Sequence, residues 1–74
     1  MASLRDEIVG ILAAHAEQPI DYVAIFMFLN TVAGGHYEDR WSETAIRTEL
    51  DAMMAGGLLV QVDDATGSHY TLKV

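Results

Sequence analysis

Residues 41–74, WSETAIRTELDAMMAGGLLVQVDDATGSHYTLKV, form the stretch that decides the fold. Its first part predicts a helix, because apolar residues recur at the spacing of a helix with about 3.6 residues per turn. These residues are Ile46, Leu50, Met53 and Met54. Ser42 is the predicted N-cap, and Gly56 and Gly57 supply the left-handed conformation that ends helices. The helix is therefore expected over about residues 42–55.

The remainder of this stretch predicts a β-hairpin. Residues 58–62 are β-prone, Asp63 to Gly67 have the composition of a turn, and residues 70–74 alternate with period two. Strands are expected over about residues 58–62 and 69–74. We interpret the whole stretch as a recognition-type helix followed by a two-stranded wing.

Length and composition predict one small domain over residues 1–74. Without cysteine, neither a disulfide nor a thiolate metal site stabilises the fold, so stability depends on the apolar core or on a partner. The hydrophobic share is 51%, and eleven acidic and four basic residues give a formal charge of −7. A polyanion repels nucleic-acid phosphates, so the charge argues against DNA as a partner.

The chain shows no targeting or membrane pattern. Charged residues stand near the N-terminus where the apolar part of a signal peptide would begin. The longest uncharged run, residues 22–35, is shorter than the roughly 20 residues that cross a bilayer. We expect a soluble, cytoplasmic protein with no membrane partner.

Two further helices are predicted before the decisive stretch. Ser3 and Asp6 resemble a capping box, and apolar residues at helical spacing follow, which predicts a first helix over about residues 3–16. Pro19 interrupts the helical pattern. Asp21 then caps a second helix over about residues 21–33.

The second helix contains an unusual run of eight apolar residues, 22–29. A strand is the competing interpretation for residues 23–29, since short apolar runs are ambiguous. As a helix, the run would be apolar on all sides, and a domain of this size can cover only one of them. We therefore expect self-association or a protein partner. The predicted contact residues are Tyr22, Phe26, Met27 and Leu29.

Three helices followed by a hairpin, with LDAMMAGGLLV at residues 50–60 leading into the wing, resemble the winged helix-turn-helix superfamily, in particular small PadR-like and MarR-like regulators. Tyr70, Thr71 and Leu72 resemble the end of the second wing strand in those families. The resemblance implies an α+β winged-helix fold whose third helix enters the major groove of DNA as part of a dimer. The contacts implied on this chain are Thr44, Arg47 and Thr48, aided by Arg40 and Lys73.

The chain departs from that family at the positions that would meet DNA. Arg47 is the one basic residue on the exposed face of the third helix, and the wing tip carries Asp63 and Asp64 where phosphate-binding cations are common. A docking surface for a basic partner is one interpretation of these acids, and a solvated face is the other. The predicted acidic surface consists of Glu43, Asp51, Asp63 and Asp64.

No catalytic, cofactor or metal site is predicted. The three histidines lie far apart and do not match a metal-binding spacing, and no phosphate-binding loop or nucleophile motif is present. Neither an enzyme nor a small-molecule substrate is expected. Two hypotheses follow: an acidic winged-helix module that binds a protein, or itself, through the second helix, and a small DNA-binding regulator that acts as a dimer.

Overall fold

The computed structural model describes residues 3–32 and 34–73, and for Val32 it describes the backbone alone. Within these residues the chain is an α+β fold with three helices and a three-stranded antiparallel sheet. A separate two-stranded ladder lies between the second and third helices. In chain order the elements are α1 (Leu4–Ala14), β1 (Ile20–Asp21), α2 (Tyr22–Leu29), β2 (Thr31–Val32), β3 (His36–Tyr37), α3 (Glu43–Ala55), β4 (Leu59–Asp64) and β5 (Gly67–Leu72).

Each helix begins at a capping side chain. Ser3, Asp21 and Ser42 have extended backbone, and their side-chain oxygens accept a hydrogen bond from the N–H three residues later, at 3.1, 2.9 and 3.1 Å. These bonds satisfy N–H groups that have no partner within the helix. The three predicted caps are therefore present in the structure.

A Schellman motif ends α3. The N–H groups of Gly57 and Leu58 donate to the carbonyls of Met54 and Met53, at 3.1 and 2.9 Å. Gly57 has a φ of +75°, whereas Gly56 stays right-handed with a φ of −82°. Only one of the two glycines is left-handed, and the chain turns there into β4.

The core lies between the helices and one face of the sheet. Its buried apolar residues are Ile8, Leu12, Ile25, Leu29, Ile46, Leu50, Met53, Leu59 and Tyr70. Ile46, Leu50 and Met53 belong to the stripe predicted for α3, and Met54 packs against the core while half-buried. The stripe therefore faces inward, and the opposite side of α3 lies in solvent.

The sheet has one more strand than the predicted hairpin. β4 and β5 pair from Leu59 with Leu72 to Asp64 with Gly67, and β1 pairs with β5 through Ile20 and Tyr70. Pro19 keeps the preceding segment out of a helix, and Ile20 packs against the core, so two residues suffice to add a strand. Val74, predicted in the last strand, lies outside the described residues.

α2 ends four residues earlier than predicted. Residues 22–29 are helical, which decides between helix and strand, but the following Thr31–Val32 pairs antiparallel with His36–Tyr37 instead of extending the helix. Asn30 ends α2 because its side chain bonds to the segment before α3, and β-branched residues follow it. Ala33, predicted to be helical, lies outside the described residues.

Candidate functional site

The apolar circumference of α2 is covered on one side only. Ile25 and Leu29 are fully buried, whereas Val23, Met27 and Phe28 have 69%, 47% and 48% of their surface exposed. A helix that is apolar all round is normally covered on every side. In the isolated chain, therefore, one side of α2 presents apolar side chains to solvent.

Four side chains on this side of α2 form a continuous patch. Val23, Phe26 and Met27 are spaced by three and four residues, which places them on one face of α2. Tyr37 of β3 extends this face, since its ring stacks on that of Phe26 with 6.4 Å between centroids and is 53% exposed as a residue. We call these four residues the α2 surface. Aromatic residues and methionine are enriched in protein interfaces.

A groove between α2 and α3 opens beside the α2 surface. Its volume is about 240 Å³, and its lining consists of Tyr22, Val23, Phe26, Glu43 and Arg47. Val23 and Phe26 belong to both features, so the groove and the patch are contiguous. We call this cavity the α2–α3 groove. It is smaller than the roughly 300–1,000 Å³ typical of small-molecule pockets.

Arg47 is held in place along the groove. Its guanidinium lies 4.0 Å from the centroid of the Tyr22 ring, and its Nε donates to Oε2 of Glu43 at 2.9 Å. That hydrogen bond is the main cause of a raised Arg47 pKa. The Tyr22 hydroxyl is buried without a hydrogen-bond partner among the described residues, and burial raises its pKa. This wall of the groove thus contains a paired charge.

The structure brings three of the four predicted contact residues together. Tyr22 and Phe26 are half-buried beside one another, with 6.1 Å between ring centroids, and Met27 is exposed. Leu29 is different, because it is fully buried in the core and unavailable to a partner in this conformation. The eight-residue apolar run does not reveal which side of the helix faces inward, and Leu29 turns out to lie on the same side as Ile25.

Sequence reasoning missed Val23 and Tyr37. A local signal for Val23 exists, because it precedes Met27 by four residues and so shares its face. Tyr37 has no such signal, since its position depends on the pairing of β2 with β3, in which Thr31 lies opposite Tyr37. Trp41, four residues further along the chain, packs against the core instead.

The exposed face of α3 carries little free positive charge. All residues predicted for DNA contact are exposed: Thr44, Arg47, Thr48, Arg40 and Lys73. Both terminal nitrogens of Arg40, however, donate to the carboxylate of Glu7, at 2.9 and 3.0 Å. Arg47 is paired as described above, and Lys73 follows β5 at the end of the sheet. Two of the three cations are therefore already paired with carboxylates of the chain.

The predicted acidic residues do not act as one group either. Asp63 accepts hydrogen bonds from Gln61 and Ser68, at 3.0 and 2.7 Å, and these bonds lower its pKa. Asp64 accepts from the hydroxyl and the N–H of Thr66, which lowers its pKa in turn. Both therefore stabilise the hairpin tip. Glu43 and Asp51 lie on one helix at a separation of about 12 Å, given a rise of about 1.5 Å per residue.

A different set of carboxylates borders the α2 surface. Asp21 caps α2, and Glu38 and Asp39 directly follow Tyr37 in the chain. Within the described residues none of these three acids forms an ion pair. The border of the apolar patch is therefore negatively charged.

Phe28 points to the other flank of α2. Its ring lies 5.1 Å from that of His15, beside a second groove of about 430 Å³ between α1 and α2. The Nδ1 atom of His15 lies 2.9 Å from the carbonyl oxygen of Ile11. Phe28 therefore packs beside α1 and is separate from the α2 surface.

Comparisons with protein-family models, with curated proteins and with solved structures find no match. In the described part of the chain, no helix has the length and apolar character needed to cross a membrane. Over residues 3–32 and 34–73, no three histidine, aspartate or glutamate side chains are grouped so that they could hold a metal ion. The α2 surface is thus the candidate site, on the strength of its own geometry.

Proposed function

We propose that the protein is a winged-helix interaction module that binds a protein partner through the α2 surface. The observation that carries the proposal is the exposure of Val23, Met27 and Tyr37 around the half-buried Phe26 ring. Water in contact with this patch is released when a partner covers it, which favours association. A buried cluster of aromatic and large apolar side chains is also the usual centre of binding energy in an interface.

Support for the winged-helix part of the proposal comes from the element order. A helix, a short strand, a second helix, the β2–β3 ladder, a third helix and a hairpin follow one another, and β1 lies beside β5 in the sheet. This order agrees with the resemblance to PadR-like and MarR-like regulators carried by residues 50–60 and 70–72. In this arrangement α3 is the recognition-type helix and β4 with β5 form the wing.

One observation favours a second function, DNA binding by a dimer. Thr44, Arg47 and Thr48 are exposed at positions three and four residues apart on α3, as a groove-reading helix requires. Against it, the guanidinium of Arg47 is bonded to Glu43, and the hairpin tip presents Asp63 and Asp64. DNA contact would need these carboxylates to approach phosphates. We therefore rank this function second.

Site-specific photo-crosslinking in cells of the source organism tests the ranking. A benzophenone amino acid replaces Met27 in one variant and Thr48, on the exposed side of α3, in the control. Protein adducts are expected from position 27 only, and adding Val23→Glu should remove them. Adducts from position 48 without adducts from position 27 would contradict the proposal.

A gel-shift titration with mixed genomic DNA fragments tests the second function. At about 150 mM salt, where the Debye length is about 8 Å, we expect negligible affinity. Arg47→Ala is the informative variant, since it removes the basic residue at the centre of the α3 face. Tight binding by the native chain that is lost in this variant would reverse the order of the two functions.

A further inference from the structure

The acidic border of the α2 surface defines the chemistry of its partner. We propose that the surface binds a basic segment of a partner protein, which places one large apolar side chain in the α2–α3 groove and Lys or Arg side chains beside Glu38 and Asp39. This inference rests on the proposed interaction function and adds the class of partner to it.

The overall charge distribution leaves the acids near α2 without internal cations. Eleven acidic and four basic residues give a net charge of −7. Three of the four bases are already paired: Arg5 with Glu49, Arg40 with Glu7, and Arg47 with Glu43. Within the described residues, Lys73 is the one base without an ion pair, and it follows the last strand. Cations that neutralise the border must therefore come from a partner.

Two carboxylates place negative charge directly beside the α2 surface. Glu38 and Asp39 are exposed and directly follow Tyr37, whose ring stacks on Phe26 within the α2 surface. Charged groups at the rim of an apolar patch attract partners of opposite charge, raise association rates and disfavour partners of like charge. An apolar patch with an acidic rim is thus complementary to a segment that is both apolar and basic.

The groove accepts the apolar part of such a segment. The charges of its polar wall are already paired, because Arg47 is bonded to Glu43 and lies over the ring of Tyr22. The rest of the lining, Val23 and Phe26, is apolar. A cavity of about 150 Å³ holds a benzene ring in another protein. The 240 Å³ available here is therefore enough for one leucine or aromatic side chain.

The same charges disfavour two other occupants. A second copy of this chain would bring another net charge of −7, and its arginines would arrive already paired. A nucleic acid would bring phosphates to a surface bordered by Asp21, Glu38 and Asp39. Only a basic partner gains from both the patch and its border.

Selection from a displayed library of random 16-residue peptides tests the proposal and requires no assumption about which protein the partner is. Peptides are selected on the native chain and counter-selected on Val23→Glu/Met27→Glu, whose fold is checked by circular dichroism. Peptides that bind only the native chain should be enriched in Lys and Arg over Asp and Glu relative to the starting library. They should also contain at least one large apolar residue.

Charge-reversal variants locate the effect on the strongest selected peptides. By fluorescence anisotropy at about 150 mM salt, where the Debye length is about 8 Å, Glu38→Lys/Asp39→Lys should weaken binding about 10-fold, and the difference should shrink at about 1 M salt. The matched control is Glu17→Lys/Asp51→Lys, which makes the same change in net charge at two exposed acids that belong neither to the α2 surface nor to the lining of the α2–α3 groove. We expect less than about a 3-fold effect there, because a distant charge is largely screened.

Two results would overturn the inference while leaving the proposed function intact: neutral or acidic selected peptides, or equal weakening by both charge-reversal variants. The proposed function fails by a separate result, in which no selected peptide distinguishes the native chain from Val23→Glu/Met27→Glu.

Discussion

At the scale of single residues, Asn30 connects the candidate site to the core. It is fully buried, and its Oδ1 accepts from the N–H groups of Arg40 and Trp41, both at 2.8 Å. Its Nδ2 donates to the carbonyls of Phe26 and Trp41, both at 3.2 Å. One side chain therefore ends α2 and holds the segment that leads into α3.

Asn30→Ala should destabilise the protein by about 2–4 kcal/mol in urea unfolding, because it leaves several backbone groups without partners in a buried setting. Thr31→Val is the matched control. It removes the single bond from Oγ1 to the carbonyl of Met27, in an exposed setting, and should cost less than about 1 kcal/mol. Equal effects of the two substitutions would contradict the central position of Asn30.

The hairpin tip makes a prediction about pH. Hydrogen bonds from Thr66 lower the pKa of Asp64 below the ordinary 3.8, so the folded state favours the charged carboxylate. This contribution to stability is present above pH 3.8 and is lost as the pH falls through the lower, folded-state pKa. In an NMR titration, the amide signal of Thr66 should shift with a midpoint below 3.8. A midpoint at or above that value would show that the turn does not hold the carboxylate.

At the scale of elements, α2 has one side in the core and one in solvent, and substitutions should report the difference. Ile25→Val should cost about 1 kcal/mol of unfolding free energy, since it removes a buried methylene group. Met27→Gln should change stability by less than about 0.5 kcal/mol, because its side is exposed. Chemical unfolding of the purified variants measures both values. A large loss at Met27 would mean that this side is covered within the chain.

Some elements of the fold could be predicted from the sequence, and others could not. The stripe of α3, its glycine stop and the hairpin could be predicted, because each depends on residues close in the chain. β1 could not, since two residues show no periodicity and their strand exists only through its pairing with β5. The same holds for β2 and β3, which replace the predicted end of α2.

The candidate site, too, could be predicted only in part. That α2 would leave apolar surface exposed could be predicted from eight apolar residues in a small domain. Which residues lie outward could not, because the run has no polar face to orient it, and so Leu29 was predicted at the surface. Tyr37 joins the patch only through a strand pairing that the sequence does not signal.

At the scale of the whole molecule, charge and apolar surface act against each other in self-association. Two chains that each carry −7 repel one another at low salt, while the α2 surface favours contact. By sedimentation equilibrium we expect a monomer at about 10 mM salt and increasing association at about 1 M, as the Debye length falls from about 30 to 3 Å. Val23→Glu/Met27→Glu should remain monomeric at both concentrations. Association that weakens with salt would point to a polar interface elsewhere.

The most direct test of the α2 surface is an NMR titration of the isotopically labelled chain, first with the strongest selected peptide and then with a mixed-sequence DNA duplex at about 150 mM salt. The peptide is expected to shift the signals of Val23, Met27 and Tyr37, and the duplex is expected to shift none. Peptide-induced shifts confined to other parts of the chain, or duplex-induced shifts at Thr44, Arg47 and Thr48, would contradict the assignment of binding to α2.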